Sequence, residues 1–215
     1  MLFTSNRGNI LNTTSIKPTV FVVDDEPGMR KSLDRLLRSA GLQAECFGNA
    51  ETFLREYDPG RPGCLILDVC MDHMTGLELQ KELNARRILL PTIVISGYAD
   101  VPNVVKAVKG GAVDFLEKPF NDELLLERVQ QAIRLDQRQR MEAVRASATE
   151  ARLRSLTPRE TQVMELLVAG RRTKQIAYDL NISPKTADIH RAHVLEKMKV
   201  DTVVDLVRLV HDLPD

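Results

Sequence analysis

Asp24, Asp25 and Glu26 stand together at the end of the apolar run 20–23, and a Pro and a Gly follow them at once. Three more chemistry-bearing residues sit at or just beyond the ends of other short apolar runs: Asp68, Ser96 and Lys118. Crowded carboxylates repel and raise one another's pKa, so a buried strand that ends this way needs something to offset the charge. For one acidic strand end taken alone, a solvated turn is the ordinary outcome. The alternative is a cation site, because hard oxygen ligands hold Mg²⁺. The set suggests a specific chemistry. Asp24 and Asp25 with Asp68 can hold one Mg²⁺ that keeps several of its waters. The Asp68 carboxylate can act as a nucleophile and accept a phosphoryl group. The metal and Lys118 would neutralise charge that grows on the transferring oxygens. Ser96 could hydrogen-bond a phosphoryl oxygen once it is attached.

For these residues to meet, the elements must deliver them to one place. Residues 19–131 alternate short apolar runs (20–23, 43–47, 64–67, 92–95 and 114–116) with amphipathic stretches (29–39, 50–55, 77–86, 101–109 and one from about 122). That alternation predicts an α/β fold, a doubly wound five-stranded parallel sheet with helices on both faces. Ligands of such sheets bind beyond the carboxyl ends of the strands. Asp24 and Asp25 end the first strand, Asp68 the third and Ser96 the fourth, and Lys118 follows the fifth.

The remainder of the chain reads differently. Residues 122–155 predict one long polar helix, whose part from 134 to 154 is too irregular for a coiled coil. From Leu156 the pattern is all helical. Thr157, Pro158 and Glu160 combine an N-cap, a proline at the first position and a capping-box acid. Helices are expected over 161–169, stopped by Gly170, over 173–180, from the Ser183-Pro184 cap to Met198, and from Asp201 or Thr202 onward. Two helices joined by a turn as short as Asn181-Ile182 have helix-turn-helix geometry. The expected organisation is a flexible tail over 1–17, an α/β domain over 18–131, a helical linker over 132–155 and an all-α four-helix domain over 156–215.

Composition sets bounds on this organisation. The 215 residues carry 30 basic and 30 acidic side chains. The acids are in excess before residue 132 and the bases after it, as expected for a cation-binding half joined to an anion-binding half. Cys46, Cys64 and Cys70 have no paired zinc spacing and read as reduced thiols in a cytoplasmic protein. No run is long and apolar enough to suggest a membrane span.

The motifs "VVDDEP", "LILDVCM", "TGLEL", "PTIVISGYADV" and "GAVDFLEKPF" resemble the receiver domain of bacterial response regulators. "LTPRETQVMELLVAG" and "TKQIAYDLNISPKTADIHRAHVLEKMKV" resemble the LuxR-type DNA-binding domain. Together they resemble the NarL/FixJ class of two-component regulators. The resemblance implies that a sensor histidine kinase phosphorylates Asp68. It implies that Asp24, Asp25, Asp68 and the Cys70 carbonyl hold Mg²⁺ and that Lys118 pairs with the phosphoryl group through a loop with a cis Lys118–Pro119 bond. It makes Ser96 and Phe115 the switch pair. It further implies dimerisation on phosphorylation, binding to promoter DNA and action on RNA polymerase. One departure is Asp72, where the family usually has proline; the extra acid could tighten cation binding or sit in solvent, and the solvated reading is preferred. His73 beside it reads as a surface residue. Tyr98 is bulky enough to shield the site from water.

In the helix-turn-helix, Ala187, Val194 and Met198 form one buried stripe. Lys185, Asp188, Ile189 and Ala192 then lie on the opposite side, toward a major groove. Ile189 either touches a thymine methyl or packs at the core edge, and Asp188 can accept from a cytosine amine. Lys174, His190 and Arg191 suit phosphate contacts. Two rival readings remain. A Mg²⁺-dependent phosphatase could use Asp68, but Cys70 stands where a general acid would be wanted. Alternatively, the last helices could bind protein, against which the basic face argues.

Overall fold

The computed structural model describes residues 17–97 and 101–211. The tail expected over 1–17 lies outside these residues except for Lys17, and Tyr98 lies outside them as well. The chain divides into two compact units, residues 1–139 and 140–215.

The first unit is built on five strands: β1 (Thr19–Val23), β2 (Gln43–Phe47), β3 (Gly63–Asp68), β4 (Thr92–Ser96) and β5 (Asp114–Glu117). All pairings are parallel, and the order across the sheet is β2-β1-β3-β4-β5. Helices α1 (Pro27–Ser39), α2 (Ala50–Glu56), α3 (Gly76–Ala85), α4 (Val101–Lys109) and α5 (Asp122–Arg154) connect or follow them. Side chains alternate across the strands. Val20, Val22, Cys64, Ile66, Ile93 and Ile95 therefore pack on one face against Leu33 and Leu37 of α1 and Leu125 and Val129 of α5. Phe21, Val23, Leu65 and Leu67 pack on the other against Phe53 of α2 and Leu79 and Leu83 of α3. Burial on both faces explains why β1, β3 and β4 are near-continuous apolar runs.

Local chemistry starts the helices. Pro27 opens α1, the Asn49 side chain accepts from the Thr52 amide at α2, and Thr75 and Glu78 form a capping box at α3. At α3 the first residue is Gly76, and a Cβ there would lie 2.0 Å from the Asp68 carbonyl oxygen. Only a residue without a side chain lets α3 begin this close to the end of β3.

Helix α5 runs unbroken for 33 residues and carries residues of both units. Ala132, Ile133 and Asp136 are buried, and Asp136 accepts a hydrogen bond from the Gly63 amide at 2.9 Å. Packing of the first unit thus continues along α5 past residue 131, where the sequence suggests its end, because the apolar stripe persists for another turn.

The second unit contains α6 (Pro158–Val168), α7 (Thr173–Asp179), α8 (Pro184–Met198) and α9 (Val203–His211). Val163, Leu167, Ile176, Ala187, Val194, Met198 and Leu206 form its core. Thr157 and Glu160 make the expected capping box, and Ser183 caps α8. Asn181 takes φ 51° in the turn between α7 and α8, a conformation that asparagine tolerates better than most residues. Glu160 is buried and ion-paired to Lys197 at 2.6 Å. That hydrogen bond, with the Thr157 amide, holds its carboxyl down at about 2.

Candidate functional site

The strand registers converge on one edge. Asp68 lies level with Ile95 across β3 and β4, and Ser96 lies level with Glu117 across β4 and β5. The Lys118 amide then donates to the Ser96 carbonyl at 2.8 Å, which continues the pairing into the next loop. Asp24 follows β1 directly, and its amide donates to the Phe47 carbonyl at 3.2 Å. Four strands thereby bring Asp24, Asp68, Ser96 and Lys118 together at the carboxyl end of the sheet, and Asp24, Asp68 and Ser96 are all buried. The Lys118–Pro119 bond is cis.

One ammonium serves two carboxylates. Lys118 Nζ lies 2.9 Å from Asp24 Oδ2 and 2.8 Å from Asp68 Oδ1. Asp24 Oδ1 also accepts from the Glu26 amide at 2.8 Å, and the Asp24 carbonyl accepts from Arg30 Nη1 at 2.7 Å. Asp25 is half-buried, and its Oδ2 accepts from the Asp72 amide at 3.1 Å. The two ends of the Lys118–Asp68 pair respond differently. Burial pushes the Asp68 carboxyl above its ordinary value, although the hydrogen bond and charge of Lys118 pull it down. Burial alone would lower Lys118, but its hydrogen bonds to Asp68 and Asp24 outweigh that and raise it. Lys118 has two carboxylate partners, whereas Asp68 faces the negative charges of Asp24 and Asp25 as well as Lys118.

Those charges bear on a dication. Three carboxylates against one ammonium leave the edge negative by two when all are ionised, and all the donors are hard oxygens, the ligand type Mg²⁺ selects. The residues fit such an ion in charge and chemistry. Among the described residues no three His, Cys, Asp or Glu side chains are already grouped to hold one. Asp24 and Asp68 are turned to Lys118, and Asp25 to the Asp72 amide. Cys70 is exposed in the loop after β3. Phe115 is half-buried on β5 among Val69, Val94 and Ala107. Asp72 and His73 are exposed, as their sequence reading expects.

Two contributors to this edge carry no signal in residue type. Gly76 stands in the motif "TGLEL", but its role is a close approach to the Asp68 carbonyl. The Asp72 amide acts through backbone, which composition cannot display.

In the second unit α8 shows the expected two sides. Ala187, Val194 and Met198 are buried, and Lys185, Asp188, Ile189 and Ala192 are exposed. Ile189 is 47% exposed, so it is not absorbed into the core edge. Lys174 is exposed on α7, and His190 and Arg191 are half-buried on α8. His190 Nδ1 and Arg191 Nε are buried atoms without a hydrogen-bond partner among the described residues.

Comparison with known proteins bears on both units. Residues 20–130 match the response regulator receiver domain, and residues 154–210 match the bacterial regulatory proteins of the luxR family. The chain is 42% identical over 196 residues to the response regulator protein TodT of Pseudomonas putida, covering 91% of this chain and 86% of that protein. It is 43% identical over 191 residues to the transcriptional regulatory protein FixJ of Rhizobium meliloti, covering 89% and 94%. Among solved structures, the response regulator StyR is similar with a TM-score of 0.83 at 42% identity, over 91% of this chain and 98% of that one. Full-length FixJ from B. japonicum is similar with a TM-score of 0.57 at 42% identity, over 92% and 98%.

Proposed function

The chain belongs to the response regulators of the NarL/FixJ type, which join a receiver domain to a LuxR-type DNA-binding domain, and from that membership we propose that phosphorylation of Asp68 controls its binding to promoter DNA. The observation that carries this reading is the single Lys118 ammonium bridging two buried carboxylates, Asp24 and Asp68, at the sheet edge.

A carboxylate oxygen of Asp68 attacks the phosphorus of a sensor kinase's phosphohistidine. The P–N bond breaks and the imidazole leaves with the electron pair. Lys118, already within hydrogen-bond distance of Asp68, pairs with the phosphoryl oxygens as charge spreads onto them. Asp24, Asp25 and Asp68, with the Cys70 carbonyl, are the residues that would hold Mg²⁺. When bound, that ion supplies positive charge to the transferring group. Ser96 and Phe115 form the switch pair: the buried Ser96 hydroxyl moves to the phosphoryl group, and Phe115, half-buried beside Val94 and Ala107, turns inward behind it.

The output is DNA binding by the second unit. Lys174, His190 and Arg191 contact phosphates, while Lys185, Asp188, Ile189 and Ala192 lie toward the base edges. Phosphorylated chains pair as homodimers and act on RNA polymerase in the cytoplasm. Among the described residues no helix is long and apolar enough to cross a membrane.

The test is phosphorylation of the full chain by acetyl phosphate with Mg²⁺, followed by intact-mass measurement. The parent should gain one phosphoryl group and Asp68→Asn none. A phosphoryl group retained in Asp68→Asn would overturn the assignment.

A further inference from the structure

We infer that residue 72 is a positioning residue of the dication site, acting through its backbone amide rather than its side chain. The inference rests on the reading of Asp24, Asp25 and Asp68 as the ligands of Mg²⁺. Two of these carboxylates are fixed by Lys118: Asp68 through one bond, Asp24 through one bond and the Glu26 amide. Asp25 is oriented by a different group. Its Oδ2 accepts the Asp72 N–H at 3.1 Å, across 47 residues of sequence.

The loop after β3 is built to hold that amide in place. Met71, the preceding residue, is buried in the same cluster as Val23 and Leu67. His73, the following residue, turns the chain with φ 65°, and the Gly76 amide closes the loop on the Val69 carbonyl at 3.1 Å. The Asp72 side chain is exposed, so the contact with Asp25 is made by main chain alone. A carboxylate has about four lone-pair sites on its two oxygens. One amide on Oδ2 therefore leaves Oδ1 free to meet a cation. Groups behind a metal ligand raise affinity by fixing its orientation before the ion arrives, and an unheld carboxylate must lose rotamer freedom on binding. Proline, the residue expected at this position from the resemblance, has no N–H and cannot make the bond.

Calorimetric titration of Mg²⁺ into the full chain, without phosphodonor, tests this. Asp72→Ala removes the side-chain charge and keeps the amide. Asp72→Pro removes both. The proline variant should bind Mg²⁺ about 3- to 10-fold more weakly than the alanine variant, the range that one net hydrogen bond spans. Equal affinities in the two variants would overturn the inference. If far-UV circular dichroism finds Asp72→Pro unfolded, hydrogen exchange at the residue 72 amide decides instead. Its protection in the parent should be lost in Asp25→Ala, and unchanged protection overturns the inference. Failure of the underlying reading has another signature: parent and Asp25→Ala would then bind Mg²⁺ alike, which overturns both.

Discussion

Lys118 sits between two buried acids, and this division of one positive charge governs what Asp68 can tolerate. Asp68 is 3% exposed, and burial holds its carboxyl above the ordinary value despite Lys118. The folded chain therefore binds this proton more tightly than the unfolded chain does. Ionised Asp68 opposes folding at pH values above the unfolded carboxyl's pKa, and the cost fades as pH falls and the folded form takes up the proton. Asp68→Asn should accordingly melt higher than the parent at pH 7 without Mg²⁺. The advantage should shrink toward pH 4. Melting curves across that range check it, and a lower midpoint for Asp68→Asn at pH 7 would mean that the Lys118 bridge outweighs burial. Lys118 has the opposite dependence. Its raised value contributes stability that is present below the unfolded lysine pKa and lost as pH rises through the folded one. Asp24, Asp68, Ser96 and Lys118 are legible in the sequence because each ends or follows a buried strand, and parallel strands share one active edge. The Asp72 amide and the clearance at Gly76 are not legible, because both are contacts of backbone atoms fixed by loop geometry.

Helix α8 separates a buried stripe from an exposed one, and the two kinds of polar contact expected of it carry different information. Lys174, at the start of α7, is exposed, and its proposed contact is a phosphate, which every DNA sequence offers. Lys174→Ala should weaken binding to all sequences alike and flatten the salt dependence by about one unit. Asp188 is exposed on α8, and its proposed contact is a base edge. Asp188→Ala should change preference at one base position and leave the salt slope near the parent's. Binding measured on operator variants at several salt concentrations checks both, and identical profiles for the two variants would mean that the recognition face lies elsewhere. Most strands and helices are read from sequence to within a residue or two, since a run buried on both faces ends abruptly at a polar residue, and caps such as Thr157 and Ser183 mark helix starts. The end of the first unit is less legible. Helix α5 does not break where its packing partner stops, and Ala132, Ile133 and Asp136 continue the buried stripe in an otherwise polar stretch.

At the scale of the whole molecule, a receiver and a DNA-binding unit are carried on one chain, and helix α5 supplies residues to both. Each unit has its own core. The proposed control is that phosphorylation changes the association of whole chains. Pairing two chains turns the second half-site contact into an intramolecular step and raises affinity without any new contact to DNA. The direct measurement is the affinity of the full chain for a promoter fragment selected from its own genome, at one fixed salt concentration, before and after treatment with acetyl phosphate and Mg²⁺. The parent should gain about tenfold or more, and Asp68→Asn should gain nothing. Equal affinity of the parent with and without the phosphoryl group would contradict the proposed control.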